Sequence, residues 1–173
     1  MCIRDSYSPF ARGMARWLSY LPLGKSPRSL PGSGSAGRLA LRAELGAVVA
    51  SPSANLPTPL LFLTGGDNTV RGYAYESIGV QTPGGQTASG RYMAVGSIEW
   101  QRPITINGRQ TDWESSVFVD AGSVANTPGE LSPQYGAGFG VIWNSPVGPL
   151  KADLAWGFAT RKLRLVLAVG FKF

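Results

Sequence analysis

The sequence predicts an all-β protein, with about six antiparallel strands belonging to a transmembrane β-barrel and one long connecting loop. Three observations lead there. Apolar and polar residues alternate with period two from residue 38 to the end of the chain, the charges fall almost wholly on one parity, and the connections between segments alternate in length. Composition agrees: charged residues are 15% of the 173 residues, against about 25% in ordinary soluble domains. With 23 glycines and 10% aromatic residues, the mixture suits many strands joined by turns rather than long helices. The sequence contains no run of about eighteen apolar residues, so membrane passage would be by strands.

The segments justify this in order. In 38–50, Leu39, Leu41, Ala43, Leu45, Ala47 and Val49 share one face, while Arg38, Arg42 and Glu44 share the other. Segment 91–103 sets Tyr92, Ala94, Gly96, Ile98 and Trp100 against Arg91, Ser97, Glu99 and Gln101. Arg102 departs from the pattern beside Pro103, where a strand end lets a long side chain reach water. Segment 113–123 sets Trp113, Val117, Val119 and Ala121 against Glu114, Ser116, Phe118 and Asp120. Segment 134–145 alternates Tyr135, Ala137, Phe139, Val141 and Trp143 with Gln134, Gly136, Gly138, Gly140 and Asn144. Segment 149–158 sets Leu150, Ala152, Leu154, Trp156 and Phe158 against Lys151 and Asp153. The last, 163–173, sets Leu163, Leu165, Leu167, Val169, Phe171 and Phe173 against Arg164 and Lys172. A weaker strand is expected around 15–21, followed by the turn-like run 27–37.

Residues 104–112 and 145–149 read as short turns, 124–133 as an intermediate connection and 51–90 as a long one. Transmembrane barrels pair short periplasmic turns with longer external loops, which puts the C-terminus on the periplasmic side of a bacterial outer membrane. Tyr92 and Trp100, like Tyr135 and Trp143, are eight residues apart on the apolar face, a vertical separation of roughly 20 Å at ordinary strand rise and tilt. That approximates the height of an outer-membrane apolar band. A soluble β-sandwich would also alternate, but it does not account for charges opposite the apolar face combined with tryptophans near strand ends. About six strands cannot close a spanning barrel, so further strands are expected. The expected division is a partial N-terminal segment at 1–37 and the C-terminal barrel portion at 38–173. Residues 1–6 (MCIRDS) read as a junction rather than native sequence or a secretion leader.

Much chemistry is excluded. The chain has no histidine, which removes a Ser-His-Asp triad, His-ligated zinc and imidazole acid–base catalysis. Cys2 is the sole cysteine, so no disulfide forms within the chain. No metal, nucleotide or cofactor motif is present; GAGFGV at 136–141 lacks the helix a dinucleotide fingerprint needs. The net charge of +6 is scattered, with no dense basic patch interleaved with aromatics, so nucleic acid is not an expected partner. The protein is not expected to be an enzyme.

A loop as long as 51–90 usually has work to do. It holds Gly65-Gly66-Asp67-Asn68-Thr69-Val70-Arg71-Gly72-Tyr73, in which paired glycines permit a sharp fold and Arg71 is a planar donor beside a flexible Gly72. From spacing alone, an exposed turn with a solvated arginine remains an alternative. GGDNTVRGY, then GSIEWQRP at 96–103, VFVDAG at 117–122, NSPVGPLKADLAWGF at 144–158 and the terminal Phe173 together resemble another set of sequences. They are similar to the C-terminal barrel region of the outer-membrane assembly and secretion superfamily, the bacterial surface antigen family, which includes BamA, TamA and the two-partner secretion transporters.

The resemblance implies that the loop carrying Val70, Arg71, Gly72 and Tyr73 folds into the lumen, where Arg71 pairs with Glu99 and Asp120. Phe118, Asp120 and Gly122 match the family's Phe-x-Asp-x-Gly pattern. Glu99 and Asp120 already share the polar face by parity. Gly136, Gly138 and Gly140 lie on that face too, leaving room for a loop or marking barrel bends. Phe173, with Phe171 before it, resembles the C-terminal signal by which outer-membrane proteins are recognised for assembly. The implied function is insertion or export of client proteins, in which a client strand pairs with the strand edge at a loosened seam. GGDN and RLALRAELG (38–46) look closer to TamA than to BamA. Implied partners are outer-membrane lipid, unfolded outer-membrane or secreted clients and a periplasm-spanning partner of the TamB type. A passive channel narrowed by the loop is the alternative from another class.

Overall fold

The computed structural model describes residues 9–23, 37–51, 54, 56–107 and 109–170. Phe171 and Phe173, Cys2 and residues 1–6 lie outside them, as does Gly108 within the expected 104–112 turn.

Seven strands form one antiparallel sheet: β1 (Phe10–Pro22), β2 (Arg38–Ala50), β5 (Tyr92–Ile106), β6 (Arg109–Ala125), β7 (Gln134–Asn144), β8 (Pro149–Gly157) and β9 (Lys162–Val169). They are ordered as in the sequence, each paired with its neighbour. β3 (Val80–Gln81) and β4 (Thr87–Ala88) make a small separate hairpin inside the long connection. The fold is all-β, and the sheet is open: among the described residues, β1 and β9 do not pair.

The register explains why the alternation is so regular. Arg42, Ser97, Asp120 and Gly136 are successive cross-strand partners, as are Ala40, Glu99, Phe118, Gly138 and Ala155, so every residue in these rows points to one face. The opposite face carries Leu45, Val117, Phe139, Leu165 and Leu167, all more than half exposed. A continuous apolar surface of this size facing outward fits lipid rather than water. The soluble sandwich would need a second sheet over that surface, and none covers it among the described residues. Trp113 and Trp143, cross-strand partners on the outer face, stack with centroids 5.9 Å apart, close to the short-turn end.

β1 is a full-length strand where the sequence suggested only a weak one. Its register with β2 places Arg12 and Arg16 on the inner face, obeying the charge rule, but Met14, Leu18 and Tyr20 share that face and blur the alternation. β5 and β6 also run further than expected, because the strand continues through Pro103 by an irregularity between Pro103 and Thr105. Only two residues separate the end of β5 from the start of β6.

Connections 51–91, 126–133 and 158–161 lie at one end of the sheet, and 107–108 and 145–148 at the other. The long connection packs onto the inner face. Phe62 bridges to Gly90 and Thr64 to Ile78, forming a ladder that leads to the β3–β4 hairpin. Phe62, Val70, Tyr73 and Ile78 of the loop close on Val48, Met93, Val95 and Val124 of the strands to make the apolar core. Gly46 is needed there, since a Cβ would come 2.7 Å from the Phe62 ring.

Candidate functional site: a loop arginine held by three strands

The loop reaches the site through a tight reversal. Gly65 and Gly66 take φ of 106° and 105°, in the left-handed region that favours glycine. Thr69 then donates its amide to the Gly66 carbonyl at 3.1 Å, and Gly65 donates to Thr69 Oγ1 at 3.0 Å. Both glycines are buried, whereas Asp67 and Asn68 at the apex are exposed. The reversal delivers Val70 to the apolar core, fully buried, and Arg71 to the polar rows beside it.

Arg71 is 5% exposed, and its guanidinium has five N–H bonds to satisfy. Nε donates to Asp120 Oδ2 at 2.7 Å and Nη2 to Asp120 Oδ1 at 2.9 Å, a two-point fork on one carboxylate. Nη1 donates to Glu99 Oε2 at 2.6 Å and to Asp153 Oδ2 at 2.9 Å, while Nη2 also reaches Ser97 Oγ at 3.4 Å. The Arg71 backbone amide adds a bond to Asp120 Oδ2 at 3.1 Å. The Phe118 ring lies beneath, 3.4 Å from the guanidinium carbon. Burial alone would lower the pKa of this group. Hydrogen bonds and charge from Asp120, then Glu99, more than offset it, so Arg71 stays cationic above its ordinary range.

A second ring of contacts fixes the acceptors. Ser97 Oγ donates to Asp120 Oδ1 at 2.6 Å and Gln101 Nε2 to Glu99 Oε1 at 2.7 Å. Lys151 Nζ donates to Glu99 Oε1 at 2.6 Å and lies 3.2 Å from Asp153 Oδ2. Of the expected site residues, the structure brings Arg71, Glu99, Phe118 and Asp120 into direct contact.

Gly72 and Tyr73 continue the docking. Gly72 has φ of 93° and passes so near β8 that a Cβ would sit 2.7 Å from the Gly157 amide. Tyr73 donates its hydroxyl to the Tyr135 carbonyl at 3.0 Å and accepts from the Ala159 amide at 3.1 Å. Gly122 lies under Val70, where a Cβ would come 2.5 Å from a Val70 methyl. The three β7 glycines have different neighbours. Gly136 faces the Arg71 carbonyl, Gly138 the Phe118 ring and the Leu154 carbonyl, and Gly140 the Asp153 carboxylate. Only the first of them clears the loop itself.

Sequence reasoning missed Asp153, Lys151, Ser97 and Gln101 as members of the network. Parity placed all four on the polar face, and Lys151 and Asp153 stand two residues apart on β8. The missing signal was inter-strand register, which alone carries β8 to the loop. Among the described residues no group of His, Cys, Asp or Glu is arranged to hold a metal. The three carboxylates converge on cationic side chains instead.

An open antiparallel sheet, apolar outside and bonded inside to its own buried loop arginine, defines an outer-membrane barrel segment whose lumen is occupied by its own chain. A model of the Omp85 superfamily domain matches residues 11–173, and the chain belongs to that superfamily. Outer envelope protein 80, chloroplastic, from Arabidopsis thaliana is 35% identical over 106 residues, covering 55% of this chain and 13% of that protein. The structure of BamA from Haemophilus ducreyi lacking POTRA domains 1–3 superposes with a TM-score of 0.67 at 22% identity, over 93% of this chain and 35% of that one. This chain therefore spans about a third of the BamA chain and a smaller part of the plastid protein. The family resemblance read from the motifs is shown, and the fold with it.

Proposed function

We propose that this chain is the C-terminal barrel portion of an outer-membrane protein that inserts or translocates client proteins, and that the Arg71 network holds the long loop in the lumen as part of that work. One observation supports the reading above all. All five guanidinium N–H groups are accepted by side chains of β5, β6 and β8, a degree of satisfaction far beyond what a surface turn needs. Buried charge of this kind is weak evidence for stability and better evidence for a specified conformation. An arginine holding three strands together from a loop fixes where that loop sits.

The finer reading is a TamA-like protein of a bacterial outer membrane, supported by GGDN at 65–68 and RLALRAELG at 38–46, with a TamB-type partner. The C-terminus is proposed to be periplasmic: β9 ends beside β8's first residues, at the edge of the short 145–148 turn. Client strands would pair with a strand edge, where main-chain bonding demands no single client sequence. In the complete protein, Arg71→Ala should release the loop and reduce insertion of β-barrel or autotransporter clients into membranes. Normal client insertion by a folded Arg71→Ala protein would contradict the reading, and raised ion conductance alongside it would point to a channel.

A further inference from the structure

Arg71 is a loop residue that reaches into strands, and the structure also holds the reverse arrangement. Arg42, on β2, extends from the inner face to the loop apex, where Nη2 donates to the Thr69 carbonyl at 2.8 Å and Nη1 donates to the Asn68 carbonyl. These carbonyls are available because the turn's own bonds use others: Thr69 N–H goes to Gly66 O and Gly66 N–H to Val70 O at 3.3 Å. Two successive carbonyls facing one way match the paired terminal nitrogens of a guanidinium.

We infer that Arg42 is a second positioning residue for the loop, locking the 66–69 turn from β2 while Arg71 locks it from β5, β6 and β8. The inference rests on the proposed role of the docked loop. Its independent content is that the apex is gripped through backbone, so the side chains of Asn68 and Thr69 are not what Arg42 recognises. Arg42 also stands beside the Arg71 network. Its cross-strand partner Ser97 touches both Arg71 and Asp120. The two locks reach the turn from different strands, Arg42 at the Asn68 and Thr69 carbonyls and Arg71 two residues beyond Thr69.

The test is hydrogen exchange on the complete protein in lipid, following the peptide covering 64–73, with the β2–β5 amides as an internal reference. Arg42→Ala should speed exchange of the loop-tip amides about tenfold, the size expected for losing charge-assisted bonds to backbone, while the β2–β5 amides keep their protection. Arg42→Lys should recover only part of it, lacking the fork. Asn68→Ala should leave exchange unchanged, because the carbonyl remains. Loop-tip exchange within twofold of the parent in Arg42→Ala would overturn the inference, as would equal loosening of β2 and β5, which would make Arg42 a strand-stability residue. Client insertion measured on the same variants separates the two readings: a loosened tip with normal insertion leaves the lock standing and refutes the functional role of docking.

Discussion

Asp153 and Leu154 are chain neighbours on β8 that meet opposite surroundings: one is 2% exposed and bonded to Arg71, the other faces outward opposite Phe139 and Leu165. The backbone treats them alike, and a single step of the pleat separates them. What differs is the kind of requirement. The outer face asks only for apolar character, because fluid lipid adapts to shape. The inner face asks for particular atoms at particular places, because both oxygens of Asp120 and of Glu99 and one oxygen of Asp153 answer named donors.

That contrast can be broken in several ways, and the largest effect should come from the inner face. Arg71→Ala leaves Glu99 and Asp153 sharing Lys151 and takes from Asp120 its arginine partner, and breaking such a buried pair costs about 3–5 kcal/mol, somewhat less where water enters. The loss should fall on loop docking rather than on strand pairing. Protease cleavage within 64–73 should rise sharply while the folded barrel keeps its gel mobility. Unchanged cleavage would mean the network is dispensable.

Next is a charge on the outer face. Leu154→Arg should cost about 2–4 kcal/mol near mid-bilayer, measured by denaturant titration of the protein folded into vesicles. Here the loss should appear in global folding, leaving loop cleavage unaltered in the fraction that folds. A cost near zero would contradict the assignment of this face to lipid.

A smaller effect is expected where loop and strand backbones touch. Gly136→Ala places a methyl group against the Arg71 carbonyl, an overpacking worth about 1–3 kcal/mol. It should loosen the loop as Arg71→Ala does, only less. Smallest of all, Leu165→Val on the outer face should change folding by under about 1 kcal/mol, since lipid fills the space a dry core would leave empty. A large defect there would show that Leu165 packs against protein.

The sequence disclosed these two faces unequally. Alternation and charge parity were enough for the outer face, for β2 and β5 to β9 of the main sheet and for the inward direction of Glu99 and Asp120, because side-chain period in a strand is fixed by geometry. β1 was blurred because Met14, Leu18 and Tyr20 lie on the inner face with Arg12 and Arg16, so hydropathy lost its period while charge kept it. Family motifs joined Arg71 to Glu99 and Asp120. No local pattern could join it to Asp153, 82 residues away, or reveal that Lys151 bridges Glu99 and Asp153, since those contacts depend on the pairing register of four strands. The grip of Arg42 on two backbone carbonyls left no trace at all, because backbone acceptors have no sequence signature.

The central claim is that the arginine and its carboxylates act as one unit that fixes the loop for client assembly. A double-mutant cycle on the complete protein tests it, with Arg71→Ala and Asp120→Ala made singly and together and client insertion and loop cleavage measured for each. Residues in one network should show strong coupling, with the double variant no worse than the worse single. Fully additive defects would contradict that account and leave Arg71 and Asp120 as independent contributors.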